Sequence, residues 1–497
     1  MGAGIAQLAV QAGARTLLHD PVPEALEKGA AAVRERLDRQ VATGRADRAD
    51  QGELIPVGDI SELREAGLVI EAAPEDLELK RRLFTDVAEH VGEDCVLASN
   101  TSSLSVTEIA AGVPEPGRVV GMHFFNPPPV MELVEVVAGE RSSGEAIAIA
   151  RRAGEAMGRR PIAAADVVGF LVNRCNRPFA LEGLRLVEQR LATPEQVDRI
   201  VRMAGGFRMG PFELMDLVGI DVGFTIAKSF FAQSFHEPRW RPSPLQARAV
   251  AAGRLGRKSG EGWYRYPDGR PQDPEPPAPG GGDGLVVIAG ETELTDLLAD
   301  AAIEAGWDVA APEVAEGEVP FLIVDCGAGE DGPPLQGGPQ LLLCDAAPLA
   351  AQDPGGPSAG FHLLPPFGRL AELTSTATTA PATLEAAERF FATLGMVTER
   401  VGDAPGLVLG RIAAQLVNEA AFAVGDGVGS PADVDAGMVL GLNHPRGPLQ
   451  WGDEIGAAEV LTLLTALREE YGEERYRPAP ELLRAARAGE PLTRSSD

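Results

Sequence analysis

The sequence predicts an α/β domain with a doubly wound parallel sheet, then an all-α domain, and then a degenerate second copy of both. Short apolar strands alternate with helical stretches over residues 1–166, the pattern of a parallel sheet covered by crossover helices. Long amphipathic segments dominate residues 167–266, which indicates helices packed on one another. Beyond a stretch rich in proline and glycine, the chain repeats landmarks of its first half, which indicates an internal duplication.

The first domain contains five segments with the length and apolar content of buried strands. They are RTLLHD (15–20), GLVIEA (67–72), CVLAS (95–99), VVGMHFF (119–125) and ELVEVV (132–137). Helical spacing of apolar residues predicts helices in IAQLAVQAGA, LKRRLFTDVAEHVG and GEAIAIARRAGEAMG. In the second domain the predicted helices lie in FLVNRCNRPFALEGLRLVEQR, PEQVDRIVRMAG and DVGFTIAKSFFAQSF.

Residues 267–284 are a predicted linker, because a segment so rich in proline and glycine cannot pack a core. After it we predict a degenerate α/β domain over residues 285–404 and a second helical domain over residues 405–490. GFHLLPPFGRLAEL (360–373) repeats the pattern of GMHFFNPPPVMELVEV in the first half. The matching landmarks of the helical domains lie 237 residues apart: Arg174 with Arg411, Glu182 with Glu419, Asp198 with Asp435, Pro211 with Pro448 and Asp216 with Asp453.

Composition limits the classes of function. The chain of 497 residues is 44% apolar and has no apolar run of 18 residues, which argues against a membrane span, and its N-terminus lacks the pattern of a secretory signal. The formal net charge of −29 disfavours nucleic acid and anionic membranes as partners, although a helix N-terminus still allows an anionic cofactor. Four widely spaced cysteines predict neither a zinc site nor a disulfide framework, and they fit the reducing cytoplasm.

The opening segment MGAGIAQLAVQAGARTLLHD resembles the end of a glycine-rich turn, its helix and the next strand of a Rossmann-type unit. Gly2 and Gly4 would let the backbone approach a pyrophosphate, although an ordinary helix start gives the same letters. The first strand and the first two glycines of the fingerprint do not precede them, so we expect a gap in the sheet. Asp20, at the end of the next strand, would bind both ribose hydroxyls and repel a 2′-phosphate, which favours NAD over NADP. The alternative is a surface acid.

His123 follows an apolar strand, at the edge of the sheet where doubly wound folds bind ligands. An alcohol cannot lose its proton unaided near neutral pH, so removal of a hydride from its carbon needs a general base, and neutral imidazole suits that role. Glu135 is the candidate carboxylate for the other ring nitrogen. The turn of Pro127, Pro128 and Pro129 would bring the next strand alongside, so that Glu135 faces His123. A lone histidine, by contrast, is more often structural.

Four motifs in order carry a resemblance over residues 1–266: SNTSSL (99–104), HFFNPPPVMELVEV (123–136), GFLVNR (169–174) and GRKSGEGWY (256–264). This part resembles the L-3-hydroxyacyl-CoA dehydrogenase family, and the tandem layout is similar to its long bacterial members that serve phenylacetate breakdown. The resemblance implies NAD-dependent oxidation of an (S)-3-hydroxyacyl-CoA thioester to 3-oxoacyl-CoA.

The resemblance also implies roles for individual residues. His123 would be the base and Glu135 its partner, while Ser102 and Asn173 would hydrogen-bond the substrate. Residues beside the cofactor would be Glu75, Lys80, Asn100, Asn126 and Lys258. The alternatives are that Ser102 and Asn173 cap helices, that Glu75 and Lys80 are surface charges, and that Lys258 is a loop cation.

We expect the second copy to be catalytically inactive. Its first strand and helix, GLVVIAGETELTDLLADAA, lack a glycine fingerprint. His362 stands at the place of His123, but Pro365 replaces Asn126, Gly410 replaces Asn173, and Thr374 stands at the place expected for Glu135.

Two readings of the whole chain stay open beside the dehydrogenase: a non-catalytic scaffold that binds acyl-CoA, and a dehydrogenase of a hydroxy acid without CoA. Because both helical domains keep apolar faces, we expect them to pair within one chain as a pseudo-dimer, and a homodimer also stays open.

Overall fold

The computed structural model describes residues 1–44, 47–266, 268–270, 272–312, 319–327 and 337–494. The chain divides into two compact units. The first unit contains Met1–Cys175 and Ala423–Gly447, and the second contains Asn176–Phe422 and Pro448–Arg494. Among the described residues, no helix has the length and apolar content needed to cross a membrane.

The strands and helices are numbered along the chain. The strands are β1 Thr16–His19, β2 Leu54–Val57, β3 Leu68–Glu71, β4 Val96–Ser99, β5 Val119–Phe124, β6 Leu133–Ala138, β7 Arg160–Ala165, β8 Leu285–Ala289, β9 Asp308–Ala310, β10 Leu322–Asp325, β11 Gln340–Leu343, β12 Ala359–His362, β13 Leu370–Thr374 and β14 Val397–Val401. The helices are α1 Gly2–Gln11, α2 Pro23–Ala42, α3 Leu77–His90, α4 Val106–Ala110, α5 Gly144–Ala156, α6 Val172–Cys175, α7 Arg177–Glu188, α8 Pro194–Met203, α9 Pro211–Val218, α10 Ile220–Gln233, α11 Pro244–Ala251, α12 Glu293–Ala305, α13 Leu349–Gln352, α14 Pro381–Thr393, α15 Leu409–Gly425, α16 Pro431–Leu442, α17 Pro448–Ile455, α18 Ala457–Tyr471 and α19 Pro480–Ala488.

The first unit holds a five-stranded sheet in the order β3-β4-β5-β6-β7 and a separate parallel pair, β1-β2. All five strands predicted for this region are present. The expectation of an all-parallel sheet was wrong for one pair, because β6 runs antiparallel to β5. A short proline turn joins these two strands, whereas a parallel neighbour needs a long crossover. Strand β1 is paired with β2 and not with β3, so the hydrogen-bonded ladder is interrupted beside β1, where we expected a gap.

Two strands of the first unit were not predicted. Strand β2 has only four residues, and one of them is Pro56. Strand β7 begins Arg-Pro and continues largely with alanine, which has low strand propensity. Both strands owe their pairing to neighbours in the sheet, which a local pattern does not reveal.

Side-chain caps explain where several helices begin. Asp76 accepts a hydrogen bond from the amide of Leu79 at the start of α3, and Ser143 caps α5 through the amide of Ala146. Each such bond satisfies an N–H group that the helix itself leaves without a partner. Together with apolar faces that bury Ile5 and Leu8 of α1 against the strands, these caps fix the helices on the sheet.

One part of the later chain belongs to the first unit. Helix α16 packs against α6 and strands β6 and β7. The amide of Ala165 also donates to the carbonyl of Val428, 2.9 Å away. The predicted second helical domain, residues 405–490, is therefore divided between the two units.

The second unit contains a seven-stranded sheet in the order β14-β13-β12-β11-β10-β8-β9. Its strands run parallel except for the pair β12-β13. Helix α12 and helix α14 bury Leu298, Phe390 and Phe391 against this sheet. The three predicted helical segments of residues 167–266 correspond to α6 with α7, to α8 and to α10, whereas α9 and α11 were not predicted.

Candidate active site

His123 and Glu135 lie opposite each other in the antiparallel pair β5-β6. The imidazole Nδ1 is 2.6 Å from Glu135 Oε2, and both side chains are buried. The structure thus brings together the two residues that the sequence proposed as neighbours. It does so by strand register, because residues paired across an antiparallel ladder have adjacent side chains on one face.

The second oxygen of Glu135 is held by backbone. Its Oε1 accepts hydrogen bonds from the amides of Leu171 and Val172, at 3.0 and 2.9 Å. These amides follow Gly169 and Phe170, which have φ values of 76° and 49°. A carboxylate with no exposed surface needs such donors, because an unpaired buried charge is very costly. No sequence pattern marks these amides, since every residue type except proline offers the same N–H group.

With Nδ1 donating to Glu135, the Nε2 atom of His123 carries the lone pair that accepts a proton. The ring lies against two aromatic side chains. Its centroid is 4.6 Å from that of Phe125 and 6.0 Å from that of Phe170. The imidazole is therefore fixed by one hydrogen bond and by packing, which a base that must meet a substrate at one point requires.

Glu75 organises the loop that carries Ser102. Its Oε1 accepts hydrogen bonds from Thr101 Oγ1, from the amides of Ser102 and Ser103 and from Ser103 Oγ, at 2.7 to 3.0 Å. Burial alone would raise the pKa of Glu75, but the bonds from Thr101 and Ser102 and the nearby Lys80 charge hold it below its usual value. Ser102 itself is exposed, and the cap of α4 is a different residue, Ser105, so the cap alternative for Ser102 was wrong.

Lys80 is buried, with 1% of its side chain exposed. Its Nζ lies 2.7 Å from Glu71 Oε1 and 3.4 Å from Glu75 Oε2. The alternative of a solvated surface charge was therefore wrong for this residue. Glu71, which the sequence analysis missed, also accepts a hydrogen bond from Ser99 Oγ at 2.6 Å.

The remaining sequence candidates of the first unit lie at strand ends or near them. Asn100 follows β4, and its Oδ1 accepts from the amide of Phe124 at 2.8 Å. Asn126 is exposed in the turn after β5. Asn173 is half-buried in α6, beside the amide of Val172 that binds Glu135. Asp20 follows β1, and its Oδ1 accepts from the amide of Val22 at 3.0 Å.

The first turn of α1 has the features of a phosphate site. It contains Gly2 and Gly4, and no side chain caps its N–H groups. A Cβ atom added at Gly4 would lie 3.1 Å from Pro128 in the turn after β5, so a larger residue would press on the turn that follows His123. Free N–H groups and the dipole at a helix N-terminus bind phosphate, and a strand-end carboxylate such as that of Asp20 binds ribose. These residues fit a bound NAD.

Lys258 belongs to the second unit. Its Nζ lies 2.6 Å from Asp221 Oδ1, and 46% of its side chain is exposed. An added Cβ at Gly219, which has a φ of 101°, would come within 3.0 Å of the same Nζ. The lysine is therefore held by a local ion pair.

The second unit contains a second histidine–glutamate pair, which corrects one expectation. Strand register pairs His362 with Glu372, not with Thr374. The hairpin between them is two residues shorter than the first one, so counting forward from the histidine overshot the partner. His362 Nδ1 lies 3.4 Å from Glu372 Oε1, and Glu372 accepts from the amides of Val408 and Leu409 at 2.8 and 3.0 Å.

The surroundings of the two histidines differ. Gly410 stands where the first copy has Asn173, and a Cβ there would lie 2.7 Å from His362 Nε2. Burial lowers the pKa of His362, but Glu372 and Asp345 outweigh it and raise that pKa above its usual value. The second pair is thus buried, with Gly410 close to the His362 nitrogen that does not face Glu372.

The fold and this geometry define a class: a dehydrogenase with a dinucleotide-binding sheet and a helical domain. The family model for the 3-hydroxyacyl-CoA dehydrogenase NAD-binding domain matches residues 1–167. The model of the C-terminal domain of the same family matches residues 169–266 and again 406–496.

Similar proteins agree with these matches. The 3-hydroxyadipyl-CoA dehydrogenase of Escherichia coli K12 is 36% identical over 98% of this chain and 95% of its own length. A 3-hydroxybutyryl-CoA dehydrogenase of Mycobacterium tuberculosis is 38% identical over 54% of this chain and 95% of its own length. The crystal structure of 3-hydroxybutyryl-CoA dehydrogenase from E. coli K12 has a TM-score of 0.81 and 33% identity, and the match covers 98% of this chain and 96% of that one. The chain belongs to the 3-hydroxyacyl-CoA dehydrogenase family, and its activity is NAD-dependent oxidation of 3-hydroxyacyl-CoA.

Proposed function

We propose that His123 is the general base of this oxidation. Bound NAD⁺ supplies the acceptor for the hydride that leaves C3 of the substrate. His123 Nε2 takes the proton of the 3-hydroxyl, and the C–O bond becomes the carbonyl of 3-oxoacyl-CoA. The observation that carries this proposal is the 2.6 Å contact of His123 Nδ1 with buried Glu135, because it directs the basic nitrogen away from the carboxylate.

We propose that Glu135 stabilises the imidazolium that forms. The charge that develops on His123 lies beside a carboxylate whose position is set by two backbone amides. Ser102 and Asn173 would hold the substrate oxygen, and the loop of Ser102 is shaped by its bonds to Glu75. A preorganised group of this kind costs no rearrangement when charge develops.

For the cofactor, we propose that Gly2 and Gly4 approach the pyrophosphate and that Asp20 binds the ribose. Asn100 and Asn126, at the ends of β4 and β5, would face the nicotinamide side. We propose that Lys80 and Glu75 line the same site, and both also fix the loop after β4. The positions of Asp20, Asn100 and Asn126 beyond the carboxyl ends of β1, β4 and β5 support this proposal.

We propose a substrate of the 3-hydroxyadipyl-CoA type, in phenylacetate catabolism, because the relative that matches over nearly the whole chain carries that name. A cytoplasmic location is supported by four buried cysteines without disulfides, which fit a reducing compartment.

The test follows NADH absorbance when NAD⁺ and substrate are added. We expect turnover of 3-hydroxyadipyl-CoA and 3-hydroxybutyryl-CoA, and little with free 3-hydroxybutyrate. His123→Gln should lower kcat by on the order of 10² to 10⁴, as loss of a general base does, while NADH affinity stays within about threefold. His90→Gln, which changes an exposed imidazole in α3, is the matched control.

Three results would contradict the proposal. Unchanged kcat in His123→Gln would show that His123 is not the general base. Absence of turnover with every thioester would favour the scaffold. Equal kcat/KM for the free acid would favour a dehydrogenase of a hydroxy acid without CoA.

We also propose that residues 285–404 are a degenerate copy of the first α/β domain. Strands β10 to β14 run in the order and directions of β3 to β7, including one antiparallel pair. Gly406 and Leu407 have positive φ values, as Gly169 and Phe170 do. These shared features support descent from one unit without supporting a second active site.

We propose in addition that the two helical copies pair as an intrachain pseudo-dimer. Within the second unit, Arg411 Nη2 of α15 lies 2.5 Å from Glu182 Oε1 of α7. Arg239 Nη1 also lies 2.8 Å from Glu419 Oε2, and the rings of Phe207 and Trp451 approach within 6.0 Å. These charged and aromatic contacts join α7, the turn of Arg239 and the loop of Phe207 to α15 and α17, and they support a pairing of the two copies.

A further inference from the structure

Helix α16 comes from a distant part of the chain and packs within the first unit. Two of its glycines lie at this contact. A Cβ added at Gly437 would lie 2.8 Å from Val172 Cγ2 and 3.1 Å from Ile162 Cδ1. A Cβ added at Gly441 would lie 2.8 Å from Leu133 Cδ2 and 3.4 Å from the ring of Phe125. Both distances near 2.8 Å are shorter than carbon atoms normally approach, so an alanine at either place would displace these side chains or the helix.

The residues that α16 touches are those that hold the histidine–glutamate pair. The ring of Phe125 packs on His123, with centroids 4.6 Å apart. The amide of Val172 donates to Glu135 Oε1. Ile162 is the partner of Glu135 in the ladder between β6 and β7. Helix α16 therefore contacts, through one layer of side chains, the groups that fix the imidazole and the carboxylate.

The internal repeat supplies a comparison. Helix α8 stands 237 residues earlier than α16 and packs on β13 and β14 in the second unit. Its residues at the places of Gly437 and Gly441 are Ile200 and Ala204. Glycine in a helix interior is unfavourable relative to alanine, so two glycines on one face need a reason. They occur on the helix that backs His123 and not on the helix that backs the second pair.

We propose that Gly437 and Gly441 are positioning residues of the dehydrogenase reaction. By letting α16 press on Phe125, Leu133 and Val172, they hold His123 and Glu135 at the geometry of proton transfer. A segment of the second copy then completes the catalytic site of the first. This inference rests on the proposed role of His123 as the base.

The test compares Gly437→Ala and Gly441→Ala in the full chain with Gly144→Ala. Gly144 is also in a helix of the first unit, but an added Cβ there meets no atom within 4 Å. A misplacement of about 1 Å near the reacting atoms costs on the order of 10²-fold in rate. We expect kcat to fall by about 10- to 100-fold in the two α16 variants, with NADH affinity from fluorescence titration and the thioester KM little changed. The control should keep native kcat.

A rescue separates positioning from loss of structure. Leu133→Val removes the Cδ2 atom that an alanine at position 441 would meet. We expect kcat of the double variant Gly441→Ala with Leu133→Val to be higher than that of Gly441→Ala alone. If Gly441→Ala does not fold, Phe125→Leu in the native background takes its place. It removes the ring that α16 holds against His123, and it should lower kcat without weakening NADH binding.

Native kcat in folded Gly437→Ala and Gly441→Ala chains would overturn the inference, as would an equal loss in Gly144→Ala or native kcat in Phe125→Leu. The parallel measurement on His123→Gln separates the two proposals. If His123→Gln is inactive while the α16 variants are fully active, the positioning role alone fails. If His123→Gln is active, the base assignment fails.

Discussion

At the scale of single residues, two buried glutamates make the same kind of contact with a histidine and with backbone amides. Glu135 and Glu372 each accept two backbone amides from the turn that opens a helix, and each faces a histidine. The bonds tie that turn to the sheet in both halves of the chain. A Cβ added at Gly410 would lie 2.7 Å from His362 Nε2, and this difference between the two halves fits the proposal that the first contact serves catalysis and the second serves structure.

This difference predicts unequal effects of one substitution. Glu135→Gln should lower kcat by on the order of 10²-fold, because the imidazolium loses its counter-charge. Glu372→Gln should leave kcat within about twofold. Both variants should lose roughly 1–3 kcal/mol of unfolding free energy, because a neutral amide replaces a charged acceptor and only one of its two ends can accept a hydrogen bond. Steady-state kinetics and urea unfolding give the two values. Equal loss of kcat in both variants would contradict the division of roles.

Asp20 carries a second residue-scale prediction. Its carboxylate follows β1, and a 2′-phosphate there would meet like charge. We expect kcat/KM to be higher with NAD⁺ than with NADP⁺. Asp20→Asn should lower kcat/KM for NAD⁺ and so bring the two values closer together. The neighbouring Glu24→Gln, in the first turn of α2, is the control. Equal use of both cofactors by the native enzyme would remove this role for Asp20.

At the scale of elements, the sequence predicted the parts of the site that depend on side-chain type and spacing. His123 and Glu135 were predicted as neighbours because a proline turn separates two apolar strands, and the ladder β5-β6 confirms that they face each other. The amides of Leu171 and Val172 were not predictable, because backbone donors leave no mark in the sequence. Glu372 was missed because a shorter hairpin changes the spacing while the cross-strand register stays the same.

The first turns of α1 and α12 predict how many cofactors bind. Helix α1 starts with two glycines and no side-chain cap. The amide of Gly4 donates to the carbonyl of Met1, and helix geometry leaves the amides of Gly2 and Ala3 for a phosphate. In α12 the cap residue Thr292 already accepts from the amide of Thr295, and Glu291 adds a negative charge beside it. We expect calorimetric titration with NADH to give one site per chain. A value of two would show that the second α/β domain also binds the cofactor.

At the scale of the whole molecule, a buried charge cluster connects helices from the two halves of the sequence. Arg411 on α15 is fully buried and contacts Glu182 on α7, and Arg185 lies 2.8 Å from the same carboxylate. Tyr476 also donates to Glu182 Oε1 at 3.0 Å. One carboxylate therefore balances two guanidinium groups inside the second unit, so its removal matters more than the removal of either arginine.

The asymmetry of this cluster gives the last prediction. Glu182→Leu should lower the unfolding free energy by about 3–5 kcal/mol, because it leaves Arg411 and Arg185 buried without a counter-charge. Arg411→Leu should lower the unfolding free energy by less, because Glu182 still forms an ion pair with Arg185. As a control, Glu388→Gln removes the exposed partner of Arg400 and should cost less than about 1 kcal/mol.

The same carboxylate sets a pH dependence. Burial alone would raise the pKa of Glu182, but Arg411 and Arg185 hold it below its usual value. A lowered folded-state pKa stabilises the protein above the unfolded value of about 4.3, and this stabilisation is lost as the pH falls through the lower folded value. Urea unfolding between neutral and acid pH should therefore show a decline in the native chain that Glu182→Leu lacks. If both chains lose stability equally over that range, the pH dependence arises elsewhere and the cluster does not link the helices as inferred.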